Sequence, residues 1–131
     1  MDEEEEAPMS YEEYQRANLF FDSKDYSGAA KILAPIVEQD PTMRAAVELL
    51  ARSYFHSAQL GRAEQAFRRL VELDPGNGWA YEALGRTLQR RGDAAGAERY
   101  LRLARAMGAE ASEGAVLAVT AVNLVDGETA A

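Results

Sequence analysis

One pattern, written three times at a spacing of 34 residues, limits what this chain can fold into. Between Met43 and Gly108, residues 34 apart pair by kind: Leu50 with Leu84, Ala51 with Gly85, Tyr54 with Leu88, Ala63 with Ala97, Phe67 with Leu101. Extended backwards, Ala17, Phe20, Ala29, Leu33 and Pro41 stand one period ahead of Ala51, Tyr54, Ala63, Phe67 and Pro75. A fixed period of this size marks stacked supersecondary units. The small residues let two helix backbones approach, and a large apolar residue three or four positions on fills the groove beside them. One helical hairpin cannot bury its own apolar faces, so three in a row must share a core.

The spacing of apolar residues gives the elements. Ser10 with Glu13 reads as a capping box opening a helix that runs to about Asp22. Asp25 is expected to cap a second helix with Ala29, Ile32, Leu33 and Ile36 on one face, which Pro35 should kink or end early. Asp40-Pro41 and Asp74-Pro75 break the chain, and helices are predicted over 42–57, 60–73, 78–91 and 94–107. Gly92 and Gly108 suit left-handed helix ends, and Asp93 suits a cap.

Composition excludes several classes. The 131 residues include no cysteine, so disulfides and thiolate metal sites are ruled out. His56 is the single histidine, no Gly-rich phosphate loop follows a strand, and no carboxylates have metal-ligand spacing. The reading is therefore not an enzyme, with no cofactor and no metal, and His56 as a surface residue. The acidic start is unlike a secretory signal, and the apolar run 114–125 is too short to span a bilayer. A soluble, cytoplasmic protein with no membrane partner is expected, and the excess of arginine over lysine points to a GC-rich bacterial genome.

The net charge of −8 is unevenly placed: residues 2–6 carry −5, 10–43 carry −3, 44–105 carry +4 and 106–131 carry −4. Residues 1–8 are expected to form a disordered acidic tail. A sharper expectation lets residues 2–6 fold back over Arg52, Arg86 and Arg90 as a competing pseudo-ligand.

The repeats resemble the tetratricopeptide repeat. Its pattern of an aromatic, Leu-Gly and a further aromatic on the first helix, then Ala, a bulky residue and Pro on the second, is met best in the third copy. That copy has Tyr81, Leu84-Gly85, Leu88, Ala97 and Leu101. The second offers Val47, Leu50-Ala51, Tyr54, Ala63, Phe67 and Pro75. The first keeps Ala17, Phe20, Tyr26, Ala29, Leu33 and Pro41 but has Glu13 and Arg16 at apolar positions, which suits a terminal cap. The resemblance implies an all-α, right-handed α-solenoid: repeats at about 10–43, 44–77 and 78–109 within a domain 9–108, then a C-terminal capping or self-association segment, 109–126.

It also implies that the first helix of each pair lines a concave groove. That expectation places Tyr11, Tyr14, Asn18 and Phe21, then Glu48, Arg52 and Phe55, then Trp79, Glu82, Arg86 and Arg90 on the groove. Aromatics and arginines are enriched at binding hot spots. A core role for Tyr14, Phe21 and Phe55 remains the competing reading. The two-carboxylate clamp of co-chaperone relatives uses Lys, Asn, Asn, Lys and Arg at positions that here hold Tyr14, Asn18, Leu49, Trp79 and Ala83, so only Asn18 agrees.

The expected function is a protein-interaction module or assembly adaptor holding a protein or peptide ligand with an acidic group. Two alternatives stay open: a single-stranded nucleic-acid-binding repeat, which the acidic ends disfavour, and a homo-oligomeric scaffold through residues 114–125.

Overall fold

The computed structural model describes the backbone of residues 2–108 and the side chains of residues 11–108. These residues form six helices, α1 (Asp2–Asp22), α2 (Tyr26–Gln39), α3 (Arg44–His56), α4 (Leu60–Leu73), α5 (Gly78–Arg90) and α6 (Ala94–Ala106), and no strand. The chain divides into two compact units, Met1–Ala66 and Phe67–Ala131, with the division inside α4. Residues 109–126, expected to cap the repeats or self-associate, lie outside the described residues.

The period is legible in the hydrogen bonds as well as in the side chains. Asp25, Gln59 and Asp93 donate their backbone N–H to Phe20, Tyr54 and Leu88 at 2.8, 2.8 and 2.9 Å. One residue earlier, Lys24, Ala58 and Gly92 bond back to Phe21, Phe55 and Gln89. Such paired bonds close a helix through one left-handed residue, and the φ angles are 67° at Lys24, 62° at Ala58 and 87° at Gly92. The tip of each hairpin is thus the same main-chain device, with glycine in one copy only.

Caps begin the helices where the sequence provides them. Asp25 accepts from the Gly28 N–H and Asp93 from the Gly96 N–H, both at 2.9 Å, and Asn77 accepts from Ala80. A Cβ at Gly28 or Gly96 would lie 2.6 or 2.5 Å from the capping carboxylate, so the caps and these glycines go together. The turns after Asp40 and Asp74 close by bonds from Met43 and Asn77.

Two sequence expectations are corrected. The α1 backbone is helical from Asp2, which leaves Ser10 inside the helix instead of capping it. Acidic residues are favoured at a helix N-terminus, where they meet the positive end of the dipole. Of the two outcomes expected at Pro35, a kink or an early end, the early end does not occur: α2 continues to Gln39, and Ile36 beyond the proline is buried, so packing holds the helix past the lost hydrogen bond.

In the first unit, α2 packs on both α1 and α3. Ala17, Ala29, Ala30, Leu33, Ile36, Ala46, Leu49 and Leu50 form the core, flanked by Tyr14, Phe20, Phe21 and Tyr54. In the second unit α5 packs on α6. Phe67 meets Trp79 edge to face, with ring centroids 6.0 Å apart. The buried hydroxyls of Ser53 and Thr87, one period apart, donate to the carbonyls of Leu49 and Ala83 at 2.7 and 2.8 Å, so neither is left unsatisfied.

Candidate functional site

In the first unit the helical spacing of Phe21 on α1 and Glu48 and Arg52 on α3 brings these side chains together. The Arg52 guanidinium lies 5.0 Å from the centroid of the Phe21 ring, a cation–π distance. Glu48, one turn earlier, is 3.8 Å from its Nη1. The same pair type recurs 34 residues later in the second unit. There Arg86 donates from Nε and Nη2 to Glu82 Oε2, at 3.3 and 3.1 Å.

The two pairs differ in burial. The Glu48 side chain is 37% exposed, whereas that of Glu82 is 4% exposed beneath an Arg86 that keeps 44%. Glu82 Oε1 is buried with no hydrogen-bond partner. A buried carboxylate holding a half-exposed guanidinium fixes the direction in which that guanidinium points.

Other expected groove residues divide between surface and interior. Tyr11 is exposed at 61% and Arg90 is exposed, while Tyr14 and Phe21 are half-buried against the core. Asn18 is half-buried and donates to the Tyr14 carbonyl at 3.1 Å. Phe55 and Trp79 are buried, at 3% and 9% exposure, so both belong to the packed interior. Their helical phase matches that of core positions, and a large ring gains more from burial than from a wet groove.

Sequence reasoning missed two ring clusters. His56, expected at the surface, is half-buried; its ring lies 4.8 Å from Tyr26, 5.8 Å from Phe21 and 5.5 Å from Phe55. In the second unit, Tyr81 and Tyr100 stack at 6.4 Å, and Arg68 and Arg99 lie 5.5 and 5.6 Å from the Tyr100 ring. Arg68 also donates to the Tyr100 hydroxyl at 3.0 Å. The available signal was the pairing of Tyr81 with Tyr100 across one hairpin, each at a repeat position otherwise apolar or variable.

Each unit also has a hollow on its surface. One of about 450 Å³ is bordered by Ser27, Lys31, Pro35, Tyr54, Gln59 and Arg62 in the first unit. The other, about 280 Å³, lies between α5 and α6. Among the described residues no group of three or more His, Cys, Asp or Glu comes together, and no helix is long and apolar enough to cross a membrane.

Models of the tetratricopeptide repeat match residues 20–72 and 66–99, together more than half of the chain. A comparison with curated proteins gives no match. Among solved structures, the chain is similar to the CopN-Scc3 complex with a TM-score of 0.72 and 17% identity, over 75% of this chain and 58% of that one. It thus spans less than two thirds of that neighbour. The Yersinia enterocolitica type III secretion chaperone SycD, in complex with a peptide of the translocator YopD, gives 0.72 and 20% identity, over 84% of each chain. The first TPR of Spaghetti (RPAP3), bound to the HSP90 peptide SRMEEVD, gives 0.71 and 17%, over 82% of this chain and 85% of that one. These likenesses show the fold, an all-α helical repeat. Matched by two models of its repeat, and folded as its members are, the chain belongs to the tetratricopeptide repeat family.

Proposed function

We propose that this chain is a non-enzymatic interaction module that holds an acidic peptide segment of a protein partner. The observation that carries this reading is the repeated Glu-x-x-x-Arg pair, Glu48–Arg52 and Glu82–Arg86, in which each arginine is aimed by a carboxylate one turn earlier. A guanidinium held in this way loses little side-chain freedom on binding a carboxylate. Phe21 under Arg52, with Tyr11 and Tyr14 on the same helix, offers apolar contact beside it. SycD and the RPAP3 domain, which share the fold, are both seen with peptides.

The clamp route is a different matter. Leu49 and Ala83 are buried at 5% and 0% exposure where the co-chaperone clamp needs polar side chains. The partner peptide is therefore of another type. The reading is tested by recovering partners from the native host with wild-type chain and with Arg52→Glu/Arg86→Glu. Loss of a specific protein in the variant, with at least about tenfold weaker binding of its peptide, is expected. Identical recovery by both would sink the reading.

A second reading rests on the Tyr81–Tyr100 stack with Arg68 and Arg99, the pairing of rings and cations that holds single strands. Mixed single-stranded RNA binding with a steep salt slope would favour it, and no binding at low salt would end it.

A further inference from the structure

The hollow of about 450 Å³ in the first unit runs along one face of α2. Ser27, Ala30, Lys31, Ala34, Pro35 and Glu38 form that wall at helical spacing, a span of about 16 Å from first to last. Tyr54 on α3 forms the other side, with Gln59 and Arg62 where α4 begins. Tyr54 stands about 200° round α3 from Arg52, so the hollow and the Glu48–Arg52 pair face opposite sides of that helix.

The repeat alone does not require this hollow. One period on, Ala30, Ala34 and Pro35 become Glu64, Arg68 and Arg69, and two periods on they become Glu98, Arg102 and Leu103. Side chains of that length would fill the space that two methyl groups and a proline ring leave open. Tyr54 also departs from its row. Phe20 and Leu88, one period before and after, serve the core without a hydroxyl.

Charge is graded along the hollow. Ser27 and Arg62 lie in the first turns of α2 and α4, and Tyr54 lies in the last turn of α3, so with Lys31 they gather two cations and two hydroxyls at one end. Glu38 stands at the other. A chain of hydrogen bonds aims Arg62: Ser57 Oγ donates to the Ser53 carbonyl at 2.8 Å, Gln59 Nε2 to Ser57 Oγ at 2.9 Å, and Arg62 Nη1 to Gln59 Oε1 at 2.9 Å. The last acceptor is neutral, so this contact positions the guanidinium without cancelling its charge. An extended peptide advances about 3.3 Å per residue, so about five residues match the α2 wall. We propose that this hollow holds a second, extended peptide segment of a protein partner, with a carboxylate between Lys31 and Arg62, apolar side chains over Ala34 and Pro35, and a basic residue at Glu38. The chain is then a two-sided adaptor, and the α2 side stands whether or not the Arg52 side binds.

Amide shift mapping on the full chain tests this, with the blocked pentapeptide Glu-Leu-Ala-Ala-Lys and its reverse as probes. At least one probe is expected to move the amides of Ser27, Lys31, Tyr54 and Gln59. Lys31→Glu/Arg62→Glu should weaken that probe at least about fivefold, and so should exchanging the probe's glutamate for glutamine, which leaves the protein untouched. Arg52→Glu/Arg86→Glu should leave its affinity within about twofold, which separates this site from the Arg52 side. No shifts at these amides with either probe at about 5 mM overturn the proposal, as does binding lost only in the Arg52/Arg86 variant. Inorganic phosphate that moves the same amides as strongly as the probe also overturns it, in favour of a free anion.

Discussion

Gly85 on α5 faces Leu101 on α6 with no room for a methyl group between them. A Cβ there would lie 2.7 Å from Leu101 Cγ and 3.2 Å from its backbone nitrogen. Alanine is the better helix former by about 1 kcal/mol, yet overpacking costs about 1–3 kcal/mol and the backbone nitrogen cannot swing aside. Gly85→Ala is expected to lower the urea midpoint. Combined with Leu101→Ala it should lose less stability than the two single changes summed, because the second removes the obstacle to the first.

The hairpin tips predict opposite signs for one type of exchange. Lys24 and Ala58 hold left-handed φ angles of 67° and 62° with side chains that disfavour them, and Gly92 holds 87° with none. Left-handed backbone costs an ordinary residue about 1–2 kcal/mol, part of which glycine returns as extra freedom in the unfolded chain. Ala58→Gly and Lys24→Gly should each raise stability by about 0.5–1 kcal/mol, and Gly92→Ala should lower it by about 1 kcal/mol. Equilibrium denaturation of the three variants checks both signs.

Glu82 and Arg86 should respond unequally. Removing the cation strands a carboxylate whose side chain is 4% exposed, whereas Glu82→Gln removes the buried charge itself. Arg86→Ala is expected to cost about 1–3 kcal/mol, the lower end reflecting its exposure, and Glu82→Gln less than about 1 kcal/mol. Paired denaturation curves decide, and the reverse order would show that the carboxylate, not its pairing, supports the fold.

The clamp comparison yields a negative prediction. The peptide SRMEEVD, seen on the RPAP3 domain, should bind this chain with Kd weaker than about 1 mM, because Leu49 and Ala83 offer it no donors. Calorimetry showing micromolar affinity that Asn18→Ala abolishes would contradict this.

The hairpins were legible in the sequence because two independent signals coincide there. Small and large apolar residues recur at one spacing, and Asp25 and Asp93 stand where helix starts need side-chain acceptors. The left-handed tips at Lys24 and Ala58 were not, since the usual marker is glycine and only Gly92 supplies it. Pro35 does not end its helix because burial of the turn beyond it outweighs local propensity. For the candidate site, periodicity gave the helix face but not the depth. Phe55 and Phe21 share a repeat position, yet one is buried and the other half-exposed, a difference set by neighbouring elements that no single helix encodes.

The three tips share one main-chain closure, in which the residue at the left-handed position takes part through its backbone and not its side chain. Lys24, Ala58 and Gly92 are one site in three guises: cationic, methyl-bearing and bare. Drift can therefore rewrite the chemistry of each tip independently. Lys24 and Ala58, which already bear side chains at this position, are therefore the natural attachment points for a fluorophore or an affinity handle, whereas a side chain at Gly92 would strain its backbone.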